Sequence, residues 1–365
     1  MMTTAISFSI LDVPFRVVGT PDDLAYIHAF ANAYEDMAGA PMRTPITVSV
    51  ERASVPTAPT ATSCWVHRSK HHYWNIRGIE YAPDAVRWLN RPVWTHCPSD
   101  HDVIVTTAPT VSPAMAGEAA WHVCRNLALY HRDPRNAMLL HASAVTLHNR
   151  GIIFLGAVSA GKTTFMTEAV ITHGATPLAN DRVLVGLGAP LMLTSWPSYA
   201  SFTEGTLLDY ELLRHAALDY ENGCFPYRTQ TWGTTFSRRY TKDAKRIYPM
   251  HWFTVASSRR YRRHAQLGAL VLSQLSPNIA VPSVTRVSLN DETNREHLVT
   301  LLQQECFDAR EPSFQAWHGL PLPHGSADAA TLVAALASQT VPVYRLVAPA
   351  PGFRSALDDL LGMLS

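Results

Sequence analysis

Several things are scarce in this chain, and each scarcity removes a class of explanation. Long apolar runs are missing, since nothing approaches the roughly 18 to 20 consecutive apolar residues of a membrane span. The N-terminal MMTTAISFSILDVPF also lacks the basic start and extended apolar core of a secretory signal. No membrane partner is therefore expected, and the expected compartment is the cytoplasm. Charge is sparse at 16% and nearly balanced, with a formal net charge of +1. A generally basic nucleic-acid binder would carry an excess of Lys and Arg, so nucleic acid is not an expected partner. Cysteines are few: Cys64, Cys97, Cys124, Cys224 and Cys306 are odd in number, widely spaced and never form C-x-x-C. Neither a disulfide framework nor a zinc knuckle is indicated. No internal repeat is present.

What is there fits an ordered globular protein. Apolar residues make up 47% of 365 residues, enough for a domain of over 200 residues beside a smaller one. Residues 1–135 read as short β-like runs (ISFSILDV, ITVSVER, SCWVHRS, VIVTTA), with a long Pro- and Thr-rich connection at 54–62 and a linking helix. The helix is predicted over Pro113 to Tyr130, because Met115, Ala119, Val123, Leu127 and Tyr130 recur every three to four residues. The seventeen histidines invite a metal reading at THCPSDH, where His96, Cys97, Asp100 and His101 crowd together. That spacing fits no standard zinc pattern and Pro98 suggests a turn, so a polar loop is the expectation there.

The second unit, 136–365, opens with LLHASAVTLHNRGIIFLGAVSAGKTTF. Leu139 to Leu147 and Ile152 to Leu155 read as strands, Lys162 to His173 as a helix, and Thr176 to Ala179 and Arg182 to Leu187 as further strands. Between the second strand and the helix lies Gly156-Ala157-Val158-Ser159-Ala160-Gly161-Lys162-Thr163, the G-x-x-x-x-G-K-[ST] spacing of a Walker A loop in the context that the motif requires. Such a match arises by chance in about one chain in a hundred of this length. The two glycines let the backbone close around phosphate oxygens, and the helix N-terminus adds positive potential. In this reading Lys162 reaches the β- and γ-phosphates of ATP or GTP, Thr163 offers its hydroxyl to Mg²⁺, and Thr164 bonds an α-phosphate oxygen. Asp181, after the next strand, is the nearest carboxylate for the metal or the acceptor, brought in by a parallel neighbour. It reads otherwise as a turn residue. His141 reads either as a site residue or as a satisfied core histidine.

LLHASAV, GAVSAGKTT and LANDRV together resemble the HPr kinase/phosphorylase superfamily, which includes relatives in peptide and natural-product biosynthesis. The resemblance is close over Leu139 to Val185 and loose beyond it. It implies an α/β fold related to that of phosphoenolpyruvate carboxykinase: an HPr-kinase-like P-loop domain with a smaller N-terminal β-rich (α+β) domain. It also implies His141 beside the transferred phosphate, Lys162 and Thr163 on phosphate and metal, and residues 180 and 181 at the chemistry. Where the family has two adjacent aspartates, this chain has Asn180-Asp181. Asp181 is then the remaining acidic group, with His141 assisting, or Asn180 marks nucleotidyl transfer or a weakened binder.

The rest is less explicit. Two basic clusters, Arg238 to Arg246 and Arg259 to Arg263, read as a phosphate-holding rim or as solvated surface charge. Lys245 and Arg246 precede the apolar YPMHWF and are the expected site-facing pair. TSWPSYASFTEGTL (Thr194 to Leu207) reads as a substrate mouth or as a core turn. GALVLSQLS and Val341 to Ala348 read as strands, and Asp291 to Gln304 and Gly352 to Leu364 as helices. The expected function is a kinase moving the γ-phosphate of a nucleoside triphosphate to a hydroxyl of a peptide, protein or small molecule. A nucleotide-binding regulatory protein, a nucleotidyltransferase and a carboxykinase-type enzyme are the alternatives. The first domain would supply substrate recognition or the contact of a homo-oligomer.

Overall fold

The computed structural model describes residues 3–35, 44–53, 63–68, 73–76, 93–99, 101–131, 136–225, 232–241, 244–306 and 327–364. The Pro- and Thr-rich segment 54–62 lies outside them, as do Asp100, Lys242 and Asp243. Among the described residues no helix is long and apolar enough to cross a membrane.

The chain begins with β1 (Thr4–Ile10) and β2 (Val13–Gly19), an antiparallel hairpin in which Ile10 faces Val13 across Leu11-Asp12. Both turn residues have positive φ, 50° and 64°, the two-residue geometry whose twist matches that of the flanking strands. The sequence reading ran ISFSILDV through this turn because Leu-Asp carries no glycine to mark it. Helix α1 (Pro21–Asn32) follows, also unanticipated although its start is written locally: Thr20 caps it by accepting from the Asp23 N–H, and Pro21 opens the first turn. β3 (Ile46–Arg52), β4 (Ser63–Arg68), β5 (Tyr73–Ile76), β6 (Val93–Ser99) and β7 (Asp102–Thr107) complete a mixed sheet in the order β1-β2-β3-β7-β6-β4-β5. The segment expected to be a polar loop around Pro98 is thus strand β6, with a register shift between His96 and Ser99. Among the described residues no group of three or more His, Cys, Asp or Glu is arranged to hold a metal.

Helix α2 (Pro113–His131) packs against α1 and this sheet. The two helices touch at Gly117, where an added Cβ would lie 2.4 Å from the Asp23 carbonyl oxygen. The sequence reading gave α2 one apolar face, yet residues 116–125 are buried on every side. Its second, polar face, bearing Glu118, His122 and Arg125, is covered by the second unit.

In the second sheet, β8 (Ala137–Leu140), β9 (Ser143–Leu147), β10 (Arg150–Leu155), β11 (Thr176–Ala179), β12 (Val183–Gly186), β13 (Met192–Ser195) and β16 (His264–Leu275) run in the order β11-β9-β10-β16-β13-β12-β8. β18 (Val343–Ala348) pairs parallel with the upper half of β16, and β17 (Ser283–Val287) pairs antiparallel with β18. A separate two-stranded sheet joins β14 (Ala200–Thr203) to β15 (Lys245–Tyr248), and helices α3 (Lys162–Ile171), α4 (Glu204–Asp209), α5 (Glu211–Glu221) and α6 (Met250–Ser257) belong to the same unit. Along β10, Ile152 and Phe154 enter one core while Ile153 and Leu155 enter another, the period-two pattern of a strand buried on both faces. Burying each such side chain contributes about 1.5–3 kcal/mol. The first core continues from Phe8, Phe30 and Trp121 through Trp196 and Trp252 to Phe154. The second lies beneath α7 (Glu292–Glu305) and α8 (Ala329–Ser338), with Leu298, Leu302 and Leu332.

The predicted strand Leu139 to Leu147 is two strands: β8 pairs with β12 at one end of the sheet, and β9 pairs with β10 and β11 at the other. His141 and Ala142 make the crossing. Asn180, Asp181 and Arg182 make a second crossing between the same two ends, from β11 to β12. Three or four peptide steps span no more than about 15 Å, so the ends of the sheet must approach each other here.

Candidate functional site

Three chain segments converge at one edge of this sheet. β10 ends at Leu155 and delivers Gly156. Antiparallel β9 starts opposite Phe154, so His141 lies just above it. β11 ends at Ala179 beside Ala144, delivering Asn180 and Asp181 to the same edge. The expected parallel neighbour of β10 is therefore one strand removed: β11 does run parallel to β10, but β9 lies between them.

The loop after β10 alternates in backbone handedness. Ser159 (φ 69°) and Gly161 (φ 84°) have positive φ while Ala160 between them does not, the pattern from which anion-binding concavities of backbone N–H groups are built, and the Ala160 N–H closes the turn on the Ala157 carbonyl at 3.0 Å. Gly156 has no room for a side chain, since a Cβ would meet the Ser273 carbonyl oxygen at 2.5 Å. Ser273 donates to the Leu155 carbonyl at 3.0 Å and so fixes the base of the loop. At Gly161 a Cβ would lie 2.7 Å from the Leu275 side chain. Ala157, Val158 and Ser159 are exposed at the tip, and helix α3 (Lys162–Ile171) begins at once, with Thr163 and Thr164 half-buried in its first turn.

Lys162 folds back over the loop. Its Nζ donates to the Gly156 carbonyl (2.5 Å) and the Ala157 carbonyl (3.2 Å) and lies 3.4 Å from Glu305 Oε2. Glu305, at the end of α7, also accepts from His141 Nδ1 at 2.8 Å, and its backbone carbonyl accepts from the His141 N–H at 2.7 Å. On its other side His141 Nε2 lies 3.3 Å from Asp181 Oδ1. His141 is thus clasped between two carboxylates. Burial opposes its charged form, but hydrogen bonds to Asp181 and Glu305 outweigh that and raise its pKa above the usual imidazole value. Lys162 moves down because burial outweighs the help of Glu305 and Asp181. Burial pushes Asp181 up, but the His141 hydrogen bond and the charges of Arg182, His141 and Lys245 hold it well below the usual carboxylate range. Glu305 is likewise lowered on balance by His141 and Lys162 against its burial. Asp181 stands in the left-handed region at φ 75°, a conformation that costs most residues about 1–2 kcal/mol and Asp less.

Asn180 is 0% exposed, and its amide is used at both ends. Oδ1 accepts from Thr163 Oγ1 (3.1 Å) and Ser143 Oγ (3.3 Å), while Nδ2 donates to the Tyr199 carbonyl (3.2 Å). A carboxylate in the same place would set an oxygen against that carbonyl, so the departure from two aspartates is chemically matched to its surroundings.

The predicted cation pair divides. Lys245 is exposed and acts electrostatically on both Asp181 and Lys162. Arg246 is turned inward: it bonds Glu204 Oε1 at 2.8 and 3.1 Å, donates to the Gly233 and Thr235 carbonyls, and stacks over Phe236. Alternation along β15 explains the split, since neighbouring side chains face opposite ways. Sequence reasoning missed Glu305, which lies 143 positions from Lys162 and carries no local motif. Arg182, 3.6 Å from Asp181, was also missed. Lys162, Lys245 and Arg182 outnumber Asp181 and Glu305, a surplus of positive charge of the kind that suits a polyanion.

No family model matches this chain, and no curated protein matches it. Among solved structures it is similar to the Hpr(Ser) kinase/phosphatase from Coxiella burnetii at 10% identity and a TM-score of 0.27, covering 62% of this chain and 99% of that one. This is a distant structural likeness, from which no residue equivalence is drawn.

Proposed function

We propose that the chain is a phosphotransferase that moves the γ-phosphate of a nucleoside triphosphate, ATP or GTP, to a hydroxyl of a peptide, protein or small molecule. The observation that carries this reading is the loop 156–161, with positive φ at Ser159 and Gly161, and Lys162 lying between it and the His141–Asp181–Glu305 cluster. The oxygen donors at the loop, the Thr163 hydroxyl, the Asn180 amide oxygen and the Asp181 carboxylate, form too small a set for a protein-only cage. They suit Mg²⁺ arriving with phosphates, because that ion keeps water and substrate oxygens as ligands. When bound, the ion would neutralise charge on the β- and γ-oxygens.

Lys162 would exchange the loop carbonyls for phosphate oxygens. The acceptor oxygen bonds to γ-phosphorus as the bond from phosphorus to the β-bridging oxygen breaks. The nucleoside diphosphate leaves and the acceptor proton passes to the Asp181 carboxylate. Because its pKa is depressed, Asp181 is ionised at neutral pH but weakly basic, which suits a transfer that relies on positioning and charge rather than on a strong base. His141, whose protonated form its two carboxylates favour, would contribute positive charge beside the transferred group when it carries its second proton.

The test is calorimetric titration with Mg·ATP and Mg·GTP, followed by γ-labelled nucleotide with peptide and small-alcohol acceptors. Lys162→Ala should lower transfer by at least about a thousandfold while leaving the unfolding temperature within a few degrees. Full turnover in that variant would remove the lysine from the mechanism. Binding without transfer would assign a regulatory nucleotide binder, and transfer of label in a parallel assay with α-labelled nucleotide would assign a nucleotidyltransferase.

A further inference from the structure

We infer that helix α2 of the N-terminal unit is a positioning part of the phosphate site and holds Asn180 and Asp181 in place through a closed circuit of largely buried groups. This rests on the proposed function for its meaning and on geometry alone for its existence. The ring starts at Asn180, whose Nδ2 donates to the Tyr199 carbonyl at 3.2 Å. The Tyr199 hydroxyl donates to Glu118 Oε1 at 2.7 Å and also meets His122 Nε2. His122 Nδ1 lies 3.2 Å from Arg125 Nη1. The Arg125 guanidinium stacks on Trp196 with its carbon 4.2 Å from the ring centre, and Arg182 approaches the same indole at 4.9 Å. Arg182 Nε then reaches Asp181 Oδ2 at 3.6 Å. Two neighbouring residues of the site are therefore the two ends of one circuit that passes through the N-terminal unit.

The direction of donation in the ring is determined. A guanidinium only donates, so His122 Nδ1 must accept from Arg125 and Nε2 must carry the proton. That N–H donates to the Tyr199 oxygen, whose own proton goes to Glu118. Glu118 Oε1 is the acceptor at the end of this series of donors, and its residue is buried with His122, Arg125, Asn180, Arg182 and Trp196. Burial of so many polar groups favours an arrangement in which they partner one another, here by hydrogen bonds from Asn180 to Arg125 and by cation–π and ion-pair contacts from Arg125 to Asp181. Glu118, His122 and Arg125 stand at i, i+4 and i+7, one face of α2. The left-handed backbone at Asp181 needs an arrangement that holds it, and the ring meets it from both sides.

The experiment compares the full-length wild-type chain with Tyr199→Phe, Glu118→Ala and Glu118→Gln. Hydrogen exchange is followed in peptides covering 178–184 without nucleotide, and kcat and KM for nucleotide are measured in transfer assays. Tyr199→Phe and Glu118→Ala should speed exchange at 180–182 and lower kcat by about fivefold to tenfold, the size of one lost buried hydrogen bond, with KM for nucleotide within about twofold. Glu118→Gln should restore both, because its amide oxygen still accepts from Tyr199. Wild-type protection and kcat in Tyr199→Phe would overturn the inference, as would failure of Glu118→Gln to recover what Glu118→Ala loses. If Glu118→Ala does not fold, Tyr199→Phe, which removes a single oxygen, decides. If the wild-type chain transfers no phosphate, the functional reading has failed and the exchange comparison decides the ring by itself.

Discussion

Glu305 occupies ground that a triphosphate would contest. Its carboxylate lies 3.4 Å from the Lys162 ammonium and 2.8 Å from His141, so an arriving γ-phosphate must share both cations with it. Glu305→Gln removes that competing charge. Nucleotide affinity should rise about threefold to tenfold, the scale of one partly screened charge pair, while turnover falls because His141 loses one of the two negative charges that favour its protonated form. Calorimetric titration of the variant decides, and an unchanged or weaker Kd would count against competition. The pH response follows from the same groups. His141 is raised and Lys162 lowered, so both surrender positive charge as pH increases, His141 above the usual imidazole range and Lys162 below the usual lysine range. Asp181 and Glu305 are lowered and keep their charge well into acid. Transfer should therefore hold through mildly acidic pH and decline on the alkaline side. A pH–rate profile of His141→Gln should lack the first alkaline step. The loop from Gly156 to Thr163, between a strand and a helix, could be read from the sequence because its spacing is written in eight consecutive residues. Glu305 could not, because only tertiary packing brings the end of α7 to the loop.

At the scale of elements, legibility follows how local the cause is. β11 was read correctly at both ends, Thr176 and Ala179, and α7 within one residue, because Asp291 caps it visibly. The break inside Leu139 to Leu147 was not legible, since apolar residues continue through it and only a change of strand partner separates β8 from β9. Helix α2 was found, but its burial on all sides was not, because Glu118, His122 and Arg125 look solvated in sequence and meet their partners some 70 to 80 positions away. The contact of α1 with α2 offers a test away from the site. Gly117→Ala sets a methyl 2.4 Å from the Asp23 carbonyl oxygen, so the helices must separate. The cost should be about 1–3 kcal/mol, read as a lower unfolding temperature by calorimetry with nucleotide affinity retained. A variant as stable as wild type would show that this contact yields freely.

At the scale of the whole molecule, the two sheets are joined by more than the chain between them. Tyr261 exchanges backbone hydrogen bonds with Ala33 and Glu35, Asp12 pairs with Arg263 at 2.8 Å, and Trp196 donates to the Arg125 carbonyl. One hydrophobic cluster takes side chains from both sides of position 136. Residues 136–365 expressed alone should therefore be poorly soluble or unfold without a cooperative transition, since the surface that covers α2 would face water. A soluble fragment with the full-length unfolding temperature would contradict this.

The two crossings that carry His141 and Asp181 also set when a working site can exist. Each residue sits where the chain leaves one margin of the second sheet for the other, and neither meets its partner until both margins have closed. A nascent chain that has formed its first hairpin and its local helices would still lack the pair. The pairing of His141 with Asp181 is thus acquired late and all at once, with the closing of long-range strand contacts rather than with any local element.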